Sequence, residues 1–352
     1  MREALALARS VPTASPNPRV GAVIVRDGKT IGRGVHRGAG TPHAEAVALA
    51  GLDARGATIY VTLEPCCFFG RRPPCAQALI AAGIGRAVVA MEDPDHRVQG
   101  RGLAALRAAG VKVSLGALEG AARRINAPFI HHRITGRPLV VLKLALTLDG
   151  HLAAADGSSF WITSDKTRTL VHEERARSDA ILVGAGTVRN DDPALSVRLG
   201  NSLRQPARVV VDAGGRVPAS AAIFRSGGKA PVIVATTDAA SHEVRTSWKE
   251  AGAEVVVVEG SVDGVDLVGL LRVLGDRDLL QVYCEGGARL ATSLLREDLV
   301  DRLELHYGPK MTGGGPSIGD LGVGSMEEAR VWMVTERRRV DDDLLVRLER
   351  RV

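Results

Sequence analysis

Histidine and glutamate stand two apart in "PHAE", at His43 and Glu45, and Cys66 and Cys75 bracket eight residues in "PCCFFGRRPPC". Zinc in a hydrolytic site takes three protein ligands of the histidine or cysteine type and keeps one position for water. His43, Cys66 and Cys75 could supply the three and leave Glu45 over. A carboxylate left over is what hydrolysis needs, because the metal acidifies its water and a free acid nearby can carry the proton to a leaving amine. Residues two apart on a regular helix turn to opposite sides, so His43 and Glu45 share a site only at a helix start that meets the metal end-on. Cys75 opens "CAQALIAAG" in the same way. Helix N-termini favour negative charge and depress thiol pKa values, which suits thiolate ligation from two such ends. Singly, each residue has a plainer reading: a histidine before a helix is usually a satisfied polar group, and a lone cysteine a small core hydrophobe.

These side chains need elements to hold them. "VGAVIV" and "TIGRGV" read as a hairpin around "RDGK", "HAEAVALAGL" as a helix and "ATIYVTL" as a strand. After a loop rich in proline and glycine, "CAQALIAAG", "RAVVAM", "GLAALRAAG" and "VKVSLG" follow as helix, strand, helix, strand. That order predicts an α/β sandwich with a mainly parallel sheet. A helix from about Leu118 runs into "HHRITGRP", where Gly136 and Pro138 break the pattern and place a boundary between domains 1–136 and 137–352. The second half offers "LVVLKLAL", "AILVG", "ARVVVD", "PVIVAT", "EVVVVE" and "LLQVYCEGG" as strands with helices between most of them, and closes on "DRLELHYG", "RVWMV" and "DDLLVRLE". This predicts a predominantly parallel sheet finishing in antiparallel strands. "VGAGTV" and "EGGARLATSLL" put glycine-rich turns after apolar strands, where free backbone N–H groups could meet a phosphate. A complete G-x-G-x-x-G with an acid some twenty residues on is missing, which argues against a standard Rossmann site.

Composition limits the function classes. A chain of 352 residues suggests two domains, and 45% hydrophobic against 24% charged residues is enough to build their cores without cross-links. No apolar run approaches the roughly 18 residues of a membrane span, and "MREALALARS" lacks a secretion signal's apolar stretch, so a cytoplasmic protein without a membrane partner is expected. Of four cysteines three fall within ten positions, a pattern of thiols or metal ligands rather than of disulfides. The net charge of +6 is scattered along the chain. It favours anionic small molecules, and without aromatic and basic interleaving no nucleic-acid partner is expected.

The conjunction of H-x-E, a strand and then P-C in a proline-rich loop is a signature of zinc nucleobase deaminases. The first 135 or so residues resemble the cytidine/deoxycytidylate deaminase superfamily. "NPRVGAVIV", "HAEAVAL" and "TLEPCCFFGRRPPC" resemble the deaminase half of the bifunctional riboflavin-biosynthesis deaminase/reductases, marked by the long spacing between the cysteines. The resemblance implies a cytidine-deaminase-like three-layer α/β/α domain, with His43, Cys66 and Cys75 as Zn2+ ligands and Glu45 as proton shuttle. Cys67 rivals Cys66 by proximity, but Cys66 directly follows Pro65, as the family's ligand does. The resemblance also implies that Asn17 and His36 contact the pyrimidine or its ribose phosphate and that Arg71 holds the phosphate. Where the family usually has histidine this chain has Phe68, which removes a hydrogen-bond donor beside the substrate, and Arg72 adds a charge.

From about 139 to 350 the chain resembles the reductase domain of the same family, a dihydrofolate-reductase-like α/β fold that uses NADPH. That likeness implies cofactor contacts at Ala145, Trp161, Thr187, Asp191 and Ala213, the last replacing a family serine. It implies more along Gly287, Ala288, Arg289, Leu290, Ala291, Thr292 and Ser293, whose glycine turn would take the diphosphate. Substrate contacts are implied at Ser159, Arg175, Leu195, Arg198 and Glu285, with Lys143 and Asp149 nearby; two guanidinium forks suit a phosphoribosyl group.

The expected function is zinc-dependent hydrolytic deamination of 2,5-diamino-6-(5-phosphoribosylamino)pyrimidin-4(3H)-one, followed by NADPH-dependent reduction of the ribosyl group to ribityl. The expected partner is this small phosphoribosyl pyrimidine, and the expected assembly a homo-oligomer. Lys143, Asp191 and Glu285 are equal candidates for the second proton donor. The rivals are a paralogue retuned through Phe68 and Arg72 toward another aminopyrimidine or purine, or a chain with only its reductase half active. A nucleic-acid-reading module is opposed by the scattered charge.

Overall fold

The structure, a computed structural model, describes residues 1–68, 73–200, 204–225, 230–262 and 264–350. The chain divides into two compact units, Met1–Gly136 and Arg137–Val352.

The first unit runs α1 (Arg2–Arg9), β1 (Gly21–Arg26), β2 (Lys29–Val35), α2 (Ala44–Leu49), β3 (Thr58–Val61), α3 (Cys75–Ala81), β4 (Arg86–Val89), α4 (Arg101–Ala108), β5 (Lys112–Leu115), α5 (Glu119–Ile125) and α6 (Ala127–Thr135). Its five strands lie in the order β2-β1-β3-β4-β5. Pairing is parallel only from β3 to β5; β1 is antiparallel to both neighbours, so the sheet is less parallel than the element order predicts. The reason is that β2, α2 and β3 form a crossover that skips β1 and leaves it flanked by two strands of opposite direction. Helix α1 packs against the β1 face that carries Gly21, and α2 against the opposite face, carrying Gly34. With α3 and α4 beside α2 and α5 beside α1, three layers result. The helix predicted from Leu118 is two helices, because the Asn126 carboxamide is taken by the Arg19 backbone, accepting from its N–H at 2.8 Å and donating to its carbonyl at 3.1 Å.

The second unit runs β6 (Leu139–Leu146), α7 (Asp165–Arg177), β7 (Ala180–Gly184), α8 (Ala185–Asp191), β8 (Ala207–Val211), α9 (Ala222–Arg225), β9 (Val232–Thr236), α10 (His242–Glu250), β10 (Ala253–Val257), a short hairpin of β11 (Gly260–Ser261) and β12 (Gly264–Val265), α11 (Leu267–Gly275), β13 (Gln281–Cys284), α12 (Ala288–Arg296), β14 (Arg302–Tyr307), β15 (Trp332–Val340) and β16 (Asp343–Arg350). Nine strands lie in the order β10-β9-β8-β7-β13-β6-β14-β16-β15, parallel from β10 to β14 and antiparallel over the last three. Both faces of the parallel part are covered. Leu142, Leu182, Val282 and Cys284 pack with Leu271 and Leu294 of α11 and α12, while Ile181, Val183 and Val210 pack with Val188 and Trp248 of α8 and α10. A strand buried on both sides has no reason to alternate, which is why "LVVLKLAL" and "AILVG" read as continuous apolar runs. β15 continues past the predicted "RVWMV" through "TERRRV". As an edge strand it faces water, and charges there discourage pairing with another chain.

Candidate active sites

The first site forms where two helices begin. β2 carries Gly32 and Gly34, and a Cβ at either would meet the Ala48 or Ala44 carbonyl oxygen at 2.3 or 1.9 Å. Only glycine lets α2 lie so close to the strand. That contact fixes the helix start, with His43 as the extended residue before it and Glu45, 4% exposed, in the first turn. Cys75 opens α3, and its backbone N–H donates to Cys66 Sγ at 3.3 Å. His43 Nδ1 lies 3.2 Å from Cys75 Sγ and 3.6 Å from Cys66 Sγ, and the three donor atoms all fall within 4.8 Å of one another. A tetrahedral zinc with sulfur at about 2.3 Å and nitrogen at about 2.0 Å has N···S edges of roughly 3.6 Å and S···S edges of roughly 3.8 Å, so the donor set fits that ion. Cys67, the rival by proximity, turns its sulfur to the Arg97 carbonyl at 3.7 Å and stands outside the cluster.

The electrostatics match the geometry. The hydrogen bond from the Cys75 thiol, aided by His43, draws Cys66 down to about 4, while that bond and burial push the Cys75 thiol upward. Burial raises the Glu45 carboxyl to about 7, so proton uptake and release near neutrality cost it little. His36, 3% exposed, sits edge-on to His43 with ring centres 5.3 Å apart. It accepts from Asn17 Nδ2 at 2.8 Å through Nε2 and donates through Nδ1 to the Pro42 carbonyl at 3.0 Å. The structure therefore brings His36 beside His43 of the cluster and Asn17 beside His36. Phe68 is exposed, with the Arg97 guanidinium 5.4 Å from its ring centre. Arg71 and Arg72 lie outside the described residues.

One functional residue escaped the sequence reading although it stands directly before Pro65 and Cys66. The Glu64 carboxylate, 3% exposed, accepts four backbone N–H groups: Asp93 at 3.2 Å and Gly100 at 2.9 Å on Oε2, Gly102 at 2.9 Å and Leu103 at 3.2 Å on Oε1. It ties the loop bearing Cys66 to the start of α4. The signal available was an acid in "TLEPC" that the metal chemistry left unexplained.

In the second unit the predicted residues fall into two groups, apart from Ala145, Ser159, Trp161 and Asp191. Around the ends of β6 and β13, Arg175 donates to Glu285 through Nε at 2.6 Å and Nη2 at 2.9 Å and to the Ser196 carbonyl at 3.1 Å. Lys143 lies across from Glu304 in the β6–β14 register, and burial lowers its pKa against the pull of Glu285. Arg198 is exposed, and its backbone N–H donates to His172 Nδ1 at 3.3 Å; His172, three residues before Arg175 on α7, was not singled out from sequence. Three of Arg175's five N–H groups are thus engaged within the protein, which leaves Arg198 the freer guanidinium. The Leu195 side chain is buried in the core, so it can offer a ligand only backbone. Asp149 accepts from Gly313 N at 2.7 Å and from Thr312 N at 3.3 Å, and hydrogen bonds from Thr147 first, then from these amides, hold its carboxyl down at about 2. It braces the loop at 312–313. Beneath this group Tyr283 donates to Glu304 at 3.1 Å, and Arg347 is ion-paired with Glu304, Glu174 and Glu336 at 2.8 to 2.9 Å.

The other group surrounds a cleft of about 480 Å³ between the ends of β7 and β8 and the start of α12, lined by Gly184, Ala185, Ala213, Arg216, Arg289, Leu290 and Ser293 among others. Thr187 accepts from the Gly287 N–H at 3.2 Å and so fastens the glycine turn to α8. Ala291 is fully buried against the sheet and the Thr292 hydroxyl donates back to the Ala288 carbonyl at 2.7 Å, so within the stretch from Gly287 the cleft is met by Arg289, Leu290 and Ser293. Trp161 is 55% exposed with the Arg168 guanidinium 3.9 Å from its ring centre, and Ser159 lies two residues before it. Ala145 lies near the end of β6 and Asp191 ends α8.

Fold and sites together define a two-part enzyme, a cytidine-deaminase-type unit with a cluster that fits zinc, followed by an α/β reductase unit. Residues 1–91 match the cytidine and deoxycytidylate deaminase zinc-binding region, and residues 138–340 match the RibD C-terminal domain. The chain is 42% identical to the riboflavin biosynthesis protein RibD of Aquifex aeolicus over 99% of this chain and 97% of that protein, and 43% identical to that of Escherichia coli over 89% and 88%. Among solved structures, Acinetobacter baumannii RibD superposes with a TM-score of 0.88 at 36% identity, covering 99% of this chain and 97% of that one. The Thermotoga maritima diaminohydroxyphosphoribosylaminopyrimidine deaminase/5-amino-6-(5-phosphoribosylamino)uracil reductase does so with 0.86 at 35%, covering 100% and 97%. The chain belongs to the RibD family of riboflavin biosynthesis proteins.

Proposed function

We propose that the chain carries out two consecutive steps of riboflavin biosynthesis. The first unit deaminates 2,5-diamino-6-(5-phosphoribosylamino)pyrimidin-4(3H)-one, and the second reduces the ribosyl group of the product to ribityl with NADPH. The observation that carries this reading is the convergence of His43, Cys66 and Cys75 with the buried carboxyl of Glu45 beside them. His43, Cys66 and Cys75 would hold zinc, which when bound supplies the Lewis acidity that makes water a nucleophile at neutral pH. Glu45 takes up the proton released from that water on its carboxylate and delivers it to the departing amine. Burial, by raising its affinity for protons, suits both halves of that transfer. Asn17 presents its carboxamide to the pyrimidine and its ribose, and His36, with both ring nitrogens engaged by Asn17 and Pro42, holds it in place.

In the second unit the first turn of α12, directly after Gly286 and Gly287, offers its unpaired backbone N–H groups to the cofactor's diphosphate. NADPH, when bound, supplies the hydride. Arg175 keeps Glu285 ionised and oriented, and Arg198 is the cation available to the substrate phosphate. Lys143, with its pKa lowered by burial, is the best placed of the candidates to give up a proton as the ribosyl group is reduced. Adding the diaminopyrimidine substrate to the purified chain and following ammonia release and then NADPH oxidation tests the reading. Ammonia at background level with zinc present would overturn the first half, and unchanged NADPH absorbance on the deaminated product the second.

A further inference from the structure

We propose that Arg216 binds the ribose 2′-phosphate of the dinucleotide and thereby sets a preference for NADPH over NADH. The inference rests on the cofactor reading above and adds the residue that discriminates. Of the described residues lining the cleft of about 480 Å³, the charged ones are Arg216 and Arg289, both cations. They stand on opposite walls. Arg289 is the second residue of α12, next to the glycine turn at 286–287, while Arg216 lies in the loop after β8. A dinucleotide whose diphosphate rests on the α12 turn has room along this cleft to lay its adenosine ribose toward the β8 loop.

In nucleotide sites built on parallel strands, an acid beyond a strand end accepts the ribose hydroxyls of NAD, and an arginine nearby accommodates the extra phosphate of NADP. The acid that follows β8 is Asp212, and it cannot serve a ribose. It is fully buried, with Oδ2 accepting the backbone N–H groups of Arg216 at 2.6 Å and Val217 at 2.7 Å. Asp212 therefore shapes the loop that carries Arg216. Its Oδ1 lies 3.7 Å from Arg216 Nε, steadying the stem of a side chain that is 52% exposed. Among the described residues, neither terminal nitrogen of Arg216 donates to a protein group, which leaves both for a phosphate in the forked geometry that guanidinium favours. Ala213 contributes no hydroxyl to share the task, so among the described residues of the cleft discrimination falls on Arg216.

The test uses the full chain and measures binding of 2′,5′-ADP and 5′-ADP by calorimetry alongside KM for NADPH and NADH. Arg216→Ala is expected to weaken NADPH and 2′,5′-ADP by about ten- to hundredfold, the range of a lost charge-assisted pair. NADH and 5′-ADP should stay within about twofold. Arg216→Lys should fall between, and Arg289→Ala should weaken both cofactors alike. Equal losses for NADPH and NADH in Arg216→Ala, or an unchanged preference, would overturn the proposal. Failure of the unaltered chain to bind either cofactor would instead remove the reading on which it rests. Retained 5′-ADP binding shows that the variants keep their fold.

Discussion

Replacing Glu64 by Gln tests how the Cys66 loop is held. The substitution changes one atom in shape and removes the charge. Glu64 accepts two N–H groups on each oxygen, and in glutamine one oxygen becomes an NH2 that faces two donors it cannot accept. A hydrogen bond to a charged group is worth about 1.5 to 3 kcal/mol net, and two are lost outright while two weaken to the neutral value. The two lost bonds alone cost about 3 to 6 kcal/mol of first-unit stability, and the two weakened ones and the α4 N-terminus, losing a negative partner, add to it. For a unit of this size that lowers the first unit's melting temperature by roughly 10 to 20 °C. Because Cys66 follows two residues later, zinc affinity measured by chelator competition should fall with it. NADPH oxidation by the second unit should be unchanged and serves as the internal control. A melting temperature within about 3 °C of the unaltered chain, with zinc affinity intact, would refute the reasoning.

Other perturbations follow from the same geometry. Gly102→Ala places a Cβ 2.0 Å from the Pro65 carbonyl oxygen and should cost deaminase activity and zinc affinity, read as above, without touching NADPH oxidation. Arg175→Ala leaves the Glu285 carboxylate buried and unpaired, so the second unit should lose about 3 to 5 kcal/mol in denaturant unfolding, with little change in zinc content. With zinc bound, Cys67 should be the one thiol that a reagent reaches, reacting slowly because burial raises its pKa, and chelation should add Cys66 and Cys75; Cys284, fully buried and pushed up to about 12 by burial, should react only on unfolding. Phe68→His should shift the deaminase KM while leaving zinc content unchanged, since Phe68 is exposed and outside the ligand cluster.

Most of the second unit's strands are legible in sequence because a run buried on both faces needs no alternation to be recognised; "LVVLKLAL" coincides with β6 and "AILVG" with β7. The cluster of His43, Cys66 and Cys75 is legible because metal chemistry restricts residue types, because His43 and Cys75 stand at helix starts that local signals mark, and because Cys66 follows a proline in the loop between β3 and α3. The antiparallel placement of β1 against β3 is not, since a crossover that skips a strand leaves no trace in the order of elements. Glu64 and Arg216 escaped for a related reason. Glu64 finds its partners 29 to 39 residues downstream, and Arg216 gains meaning only once α12 forms the facing wall. Asp149 shows the converse, a residue expected near the substrate whose carboxylate bonds to a loop more than 160 residues away.

The central claim is that one histidine and two cysteines hold a zinc ion beside Glu45. X-ray absorption at the zinc edge of the purified full chain reads this directly. The account predicts about one zinc per chain with two sulfur neighbours near 2.3 Å and nitrogen or oxygen neighbours near 2.0 Å. A metal shell without sulfur, or with three sulfurs, or a chain that binds no zinc would contradict it.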